Sequence, residues 1–418
     1  MRSPNIQRTR RAAVAATAVA LAMSLGTTAA YAAPIETEDA PVPVSLDALE
    51  DDFKAELKDD KVAEADETSE ETIEPSTIFR GDALAESGLP ERPWMSLLEG
   101  HDNTEVIWAT APTMEKAVPL ARIWPEGEDP DAPRPTLYIL NGADGGEGTA
   151  SWLYQTDIVD YFSDKDVNVV IVQAGAFSYY TDWESEETDF EKQYWETFLT
   201  RELPEALEAE IGGNGKRGIV GMSMSASSVL VYAEQHPELY DGVASFSGCP
   251  QTSDRFGSAF VQLVLDRAGV DATDMWGEPG SDAWVRNDAL VNADLLGGTP
   301  LFISTGNGLW GEWDRAPEPT LESEINMMPQ RTTGSVIEAV TAACTLNLQS
   351  ELGDLGVTED IDFDFRNTGT HSWGYWQDDL HSSWDNLFSD VLFDGDDNAN
   401  DQNEDEATDD EVEVNDEV

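Results

Sequence analysis

"GIVGMSMSASSVLVYAEQHPE", residues 218–238, runs from apolar residues through Gly221-Met222-Ser223-Met224-Ser225 into a helical pattern. A serine between a strand and a helix has two readings. It can be a nucleophile on a tight turn of small residues, the Gly-x-Ser-x-Gly elbow. It can equally be an N-cap whose hydroxyl accepts from a free N–H of the first helical turn. The last elbow position here is Ser225, not Gly, while Ala226, Ser227 and Ser228 keep the following turn small. Either way a strand ends at Ser223 and a helix begins.

The same alternation extends outward. "TEVIWATAPTM" (104–114) and "AVPLARIWPEG" (117–127) read as an antiparallel pair. Short apolar strands then alternate with helical patterns: "TLYIL" (136–140), "VNVVIV" (167–172), "RGIVG" (217–221), "GVASFSG" (242–248), "PLFIST" (300–305) and "IDFDF" (361–365). Continuous apolar strands separated by helices predict an α/β fold, a mostly parallel sheet covered on both faces. Chemistry in such sheets gathers at the carboxyl ends of the strands.

A serine nucleophile needs a base and an acid to orient that base. The chain has four histidines. His101 precedes the sheet, His236 lies far along the helix that starts at Ser223, and His381 is mid-helix. His371 alone follows a predicted strand and sits on a loop before a helix. The orienting acid should fall between Ser223 and His371. Glu338 opens the pattern "SVIEAVTAACTLNLQSEL" (335–352), with Glu322 and Glu324 as rivals. Ser335-Val336-Ile337-Glu338 also reads as a capping box, a sufficient structural reason for that Glu. Backbone N–H groups of Met224 and of Ala143, in the Gly-rich "NGADGGEG" (141–148), are the expected oxyanion donors.

The chain has 418 residues, enough for a large core, and a formal net charge of −61. Residues 1–33 carry Arg2, Arg8, Arg10 and Arg11, an apolar run and Ala30-Tyr31-Ala32, the pattern of a cleaved secretory signal too short to remain as a membrane span. Residues 34–90 begin with a strongly acidic stretch, and residues 394–418 hold thirteen acids and no Lys or Arg; both flanks are expected to be largely disordered. The catalytic domain is expected over 91–393. Such charge excludes non-specific binding to nucleic acid or anionic lipid. Export permits one disulfide between Cys249 and Cys344, though the sequence by itself does not bring them together.

Taken in order, "FSYYTDW" (177–183), "WETFLTRELPEAL" (195–207), "GMSMSASS" (221–228), "MWGEPGSDAWVRND" (275–288), "STGNG" (304–308) and "GTHSWGYW" (369–376) resemble the secreted mycolyltransferases of the antigen 85 type, in their corynebacterial branch. The resemblance spans residues 136–390. It implies an α/β-hydrolase fold and an enzyme that moves a long 2-alkyl-3-hydroxy fatty acyl chain between trehalose glycolipids or onto cell-wall arabinogalactan, with no metal or organic cofactor. It also implies Ser223 as nucleophile and His371 as base. The family's catalytic Glu follows Phe-Leu and precedes a stretch like Ser-Asn-Leu-Lys-Phe-Gln. Val336-Ile337-Glu338, followed by Cys344 to Gln349, fits that spacing.

The sequence also departs from the family. Where mycobacterial members read Leu-Asp-Gly-Leu-Arg, this chain has Leu140-Asn141-Gly142-Ala143-Asp144. Asn141 can still bond a sugar hydroxyl, whereas Asp144 reverses a charge. Gln155 and Trp373 complete the expected sugar contacts. Cys249 and Cys344 are not where the mycobacterial pair lies; both flank the expected site, and a disulfide bracing the Glu338 helix is the expectation. A secreted carboxylesterase with the same triad and no sugar site, and a non-catalytic envelope carbohydrate-binding or adhesion protein, are the competing readings.

Overall fold

The computed structural model describes residues 73–393, apart from residues 187, 189, 317 and 319. The expected leader, the acidic stretch up to residue 72 and the tail 394–418 lie outside the described residues. The strands are β1 Ile78–Phe79, β2 Thr104–Ala111, β3 Lys116–Ile123, β4 Arg134–Ile139, β5 Asn168–Val172, β6 Gly213–Met222, β7 Gly242–Phe246, β8 Leu301–Thr305 and β9 Ile361–Phe365. They form one nine-stranded sheet in the order β1-β2-β3-β5-β4-β6-β7-β8-β9. β1, β2 and β3 run antiparallel, and β3 meets β5 antiparallel. From β5 through β4, β6, β7 and β8 to β9 every pairing is parallel.

Period-two alternation explains why the parallel strands read as unbroken apolar runs. Val170, Val172, Ile219, Val243, Leu301 and Ile303 face one core; Val169, Ile171, Val220, Ala244 and Phe302 face the other. Helix α1 (Met224–Gln235) and helix α2 (Arg255–Leu265) bury Val229, Leu230, Val261 and Leu265 in the first core, and the end of helix α3 (Leu321–Leu355) adds Leu348 and Leu352. Helix α4 (Trp373–Ser383) covers the opposite face with Trp376 and Leu380. The fold is that of an α/β-hydrolase.

Two expectations are corrected. The segment 73–90 belongs to the fold and not to a disordered flank: β1 extends the sheet, the Ser76 N–H donates to the Glu202 carbonyl at 2.9 Å, and Arg80 bonds Asp131 at 2.8 Å and Glu105 at 3.1 Å. Acid counting does not see these partners. Second, the helix carrying Glu338 does not start at Ser335. It starts at Leu321, where the Thr320 hydroxyl accepts from the Ser323 N–H at 3.1 Å and the Ser323 hydroxyl accepts from the Thr320 N–H at 2.9 Å. Glu338 therefore lies mid-helix, and capping does not account for it.

Candidate active site

β6 ends at Met222, and the chain turns into α1 through Ser223. Ser223 has φ 55° and ψ −114°, a conformation that a non-glycine residue holds only when its surroundings enforce it. The Ser223 N–H donates to the Phe246 carbonyl at 2.8 Å, tying the turn to β7. The turn is tight enough that a Cβ on Gly221 would meet the Ser225 carbonyl oxygen at 2.4 Å. Ser225, in the place usual for Gly, is fully buried; its hydroxyl accepts from the Met222 N–H at 2.9 Å and donates to the Met222 carbonyl at 3.1 Å. The substitution thus closes the turn with hydrogen bonds. Ser223 occupies the position before α1 but makes no side-chain capping bond. Its hydroxyl points elsewhere.

That elsewhere is His371. The His371 Nε2 lies 2.8 Å from the Ser223 Oγ, and its Nδ1 lies 2.8 Å from Glu338 Oε2. An ionised carboxylate can only accept, so Nδ1 carries the hydrogen and Nε2 is left to accept from the serine. The loop that delivers His371 is pinned on several sides. The His371 N–H donates to the Gly334 carbonyl of α3 at 3.1 Å, Gly369 N–H donates to Leu309 O at 2.7 Å, and Thr370 bonds Asp314. The Trp376 indole stands edge-on to the imidazole, ring centres 4.8 Å apart.

Glu338 is fully buried. Its Oε1 accepts from the Ser247 hydroxyl at 2.8 Å, the Gly306 N–H at 2.6 Å and the Thr305 hydroxyl at 3.3 Å, with the Arg366 guanidinium 3.5 Å away. The ends of β7, β8 and β9 thus each supply a group to one carboxylate. Burial pushes its pKa up, but the bond to His371, the charges of His371 and Arg366 and the Gly306 N–H together hold it below the ordinary value. The rival acids lie elsewhere: Glu322 is exposed and Glu324 pairs with Arg331. Among the other histidines, His236 sits against Glu196, His381 stacks on Tyr161, and His101 is exposed.

Ser223 and His371 open onto a pocket of about 110 Å³. Phe260, Val261, Leu263 and Val264 of α2, Ile337 of α3 and Tyr179 form apolar walls, while Gln251 and Arg267 add polar ones. Ala143 and Met224 also line it, and neither N–H donates to another described residue. Cys249 lies on its wall and is joined to Cys344 of α3 by a disulfide, with Cα atoms 5.1 Å apart. This links the loop after β7 to the helix of Glu338. No group of three or more His, Cys, Asp or Glu among the described residues is placed to hold a metal ion.

The four expected sugar contacts do not line this pocket. Asn141 is fully buried: Nδ2 donates to Val172 O at 2.8 Å and Oδ1 accepts from Trp152 N–H at 3.2 Å. These bonds tie the loop after β4 to the end of β5. Asp144 accepts from the Gly148 N–H of its own loop, and exposed Gln155 donates to Thr149 O. Trp373 is half-buried, edge-on to Trp152 and Trp376. Sequence reading missed Ser247, Gly306, Arg366 and the α2 wall. Arg366 left a signal, being the sole Lys or Arg after Arg331.

A family model described as "Putative esterase" matches residues 111–385. The chain is 32% identical over 256 residues to the diacylglycerol acyltransferase/mycolyltransferase Ag85A of Mycobacterium leprae, covering 59% of this chain and 72% of that one. It is 30% identical over 256 residues to the Ag85A of Mycobacterium tuberculosis, covering 59% and 71%. The crystal structure of Mycobacterium tuberculosis MPT51 (FbpC1) superposes with a TM-score of 0.51 at 23% identity, over 66% of this chain and 93% of that one, a likeness of fold. Among the described residues no helix is long and apolar enough to cross a membrane. With its fold, its strand-end site and these relatives, the chain belongs to the esterase family, among the mycolyltransferases of the antigen 85 type, and is an enzyme of the acyltransferase or esterase kind.

Proposed function

We propose that this protein is an exported acyltransferase that takes a mycolyl chain from trehalose monomycolate and passes it to a second trehalose monomycolate or to cell-wall arabinogalactan. The observation that carries the proposal is the unbroken relay from Ser223 through His371 to Glu338, 2.8 Å at each step, opening on an apolar pocket.

Ser223 Oγ attacks the ester carbonyl while its proton passes to His371 Nε2. The carbonyl π pair moves onto oxygen, and the Met224 and Ala143 N–H groups receive the oxyanion. Collapse breaks the bond to trehalose, whose oxygen takes the proton from His371. An acyl-enzyme remains. A sugar hydroxyl then gives its proton to His371, attacks the acyl carbon, and Ser223 is restored. Glu338 keeps the imidazole in one tautomer and stabilises it when protonated. The α2 wall suits an alkyl chain, since each buried methylene contributes about 0.8 kcal/mol. Transfer in place of hydrolysis requires an acceptor hydroxyl held beside the acyl carbon, where proximity outweighs bulk water.

Incubation with trehalose monomycolate, followed by lipid analysis, tests this reading. Trehalose dimycolate is the expected product, absent with Ser223→Ala and His371→Ala. Free mycolic acid alone would favour a plain esterase, the broader description of the family that matches. No product and no labelling of Ser223 by a fluorophosphonate would favour a non-catalytic binding protein.

A further inference from the structure

Arg366 follows β9 and lies five residues before His371. Its guanidinium is largely buried, with the side chain 15% exposed. One end donates to Asp379 Oδ1; the other lies 3.5 Å from Glu338 Oε1; the plane rests over the Tyr375 ring at 5.4 Å. The Arg366 Nε makes no hydrogen bond, and the contact with Glu338 is one of charge and not of hydrogen bonding. Burying a guanidinium with unmet donors is costly, so a fold that needed only packing here would do better with an apolar side chain.

We propose that Arg366 is a positioning residue of the triad: shared between Asp379 and Glu338, it steadies the Glu338 carboxylate and offsets part of the charge that Glu338 presents to His371. The charges around it make this offset matter. Glu338 faces it from α3, Asp364 from β9, and Asp378, Asp379 and Tyr375 from α4; Asp314, bonded to Thr370 and Tyr375, lies on the loop after β8. Arg366 is the cation within this ring. Without it, Glu338 and a newly unpaired Asp379 would both stabilise the imidazolium, and His371 would hold its proton to higher pH. Loss of the Asp379 charge alone would act in the opposite direction.

The inference rests on Ser223 being the nucleophile, and the test separates the two. The rate of fluorophosphonate labelling of Ser223 is followed against pH for the full chain, and its acid limb reports the base. In Arg366→Met the limb should move up by about one pH unit, which slows labelling at pH 6 about tenfold more than at pH 9. Arg366→Lys, which keeps the charge, should leave the limb within about 0.3 unit of the wild type. Asp379→Asn should move it down. A uniform slowing in Arg366→Met with an unmoved limb would assign Arg366 to scaffolding and overturn the proposal. If that variant does not fold, an unmoved limb in Asp379→Asn overturns it equally. A wild-type protein that is not labelled at Ser223 overturns the nucleophile reading, and this inference with it.

Discussion

Glu338 and Glu234 are both buried carboxyls on helices that cover the same face of the sheet, yet their surroundings are opposite. Glu338 accepts hydrogen bonds from Ser247, Thr305 and Gly306, bonds His371, and has Arg366 nearby. Glu234, near the end of α1 and 5% exposed, has no hydrogen bond to either oxygen. Burial acts on both in the same sense, toward the neutral acid. In Glu338 the partners overcome it; in Glu234 burial wins, Asp288 and Asp294 add to it, and the pKa stands well above the ordinary value. Depth alone thus says little about function. What distinguishes Glu338 is that three strand ends converge on it.

The comparison breaks most directly through activity. Glu338→Gln keeps the shape but cannot hold His371 in the required tautomer, so kcat/KM for an activated ester should fall by about 10³–10⁴-fold. Glu234→Gln should stay within about threefold of the wild type, since that residue touches neither Ser223 nor His371. Equal losses from the two variants in the same esterase assay would end the distinction. Ser223→Ala should match or exceed the Glu338→Gln loss; alanine keeps the Cβ and with it the strain at φ 55°, so its thermal midpoint should stay close to that of the wild type.

Glu338 is also held from outside the site. The Cys249–Cys344 disulfide closes a loop with a sequence separation of 95 and fastens α3 beside the pocket. Cys249→Ala/Cys344→Ala should cost about 2–4 kcal/mol in urea unfolding. If α3 is positioned partly by this link, activity should fall before the global transition as urea is raised in the double variant. Coincident loss of activity and structure, as in the wild type, would limit the disulfide to global stability. Glu234 has no such tether, and the same substitution should not alter its surroundings.

The parallel strands were legible because burial on both faces leaves a continuous apolar run, as in "VNVVIV" and "PLFIST". His371 was legible by elimination, since it alone among four histidines follows a strand. The start of α3 was not. Ser335 to Glu338 imitates a capping box, and the true start after Thr320 is set by reciprocal bonds between Thr320 and Ser323. The setting of Asn141 was not legible for a non-local reason: Val172 and Trp152, far from it in sequence, bond its amide. Arg366 went unread although it is a lone cation in an acidic stretch, because its partners Glu338 and Asp379 come from two other elements.

The smallest expected effect sharpens the comparison through pH. Glu234 has a folded-state pKa above its unfolded value. Below the unfolded value the group is protonated in both states and the cost is only that of a carboxyl without hydrogen bonds. As pH rises the unfolded chain ionises freely while the folded one resists, so stability is lost progressively until the folded pKa is passed. Glu338 has the reverse sign: its depressed pKa contributes stability above the ordinary carboxyl range, lost as pH falls through the folded value. Glu234→Met removes the unpartnered carboxyl at similar volume and should stabilise by about 1–2 kcal/mol at pH 6. The gain should grow between pH 6 and pH 9, measured as the urea midpoint. A constant gain would mean that Glu234 ionises equally in both states, through water or a shift of Arg286 toward it, and the contrast with Glu338 would then be one of geometry and not of charge.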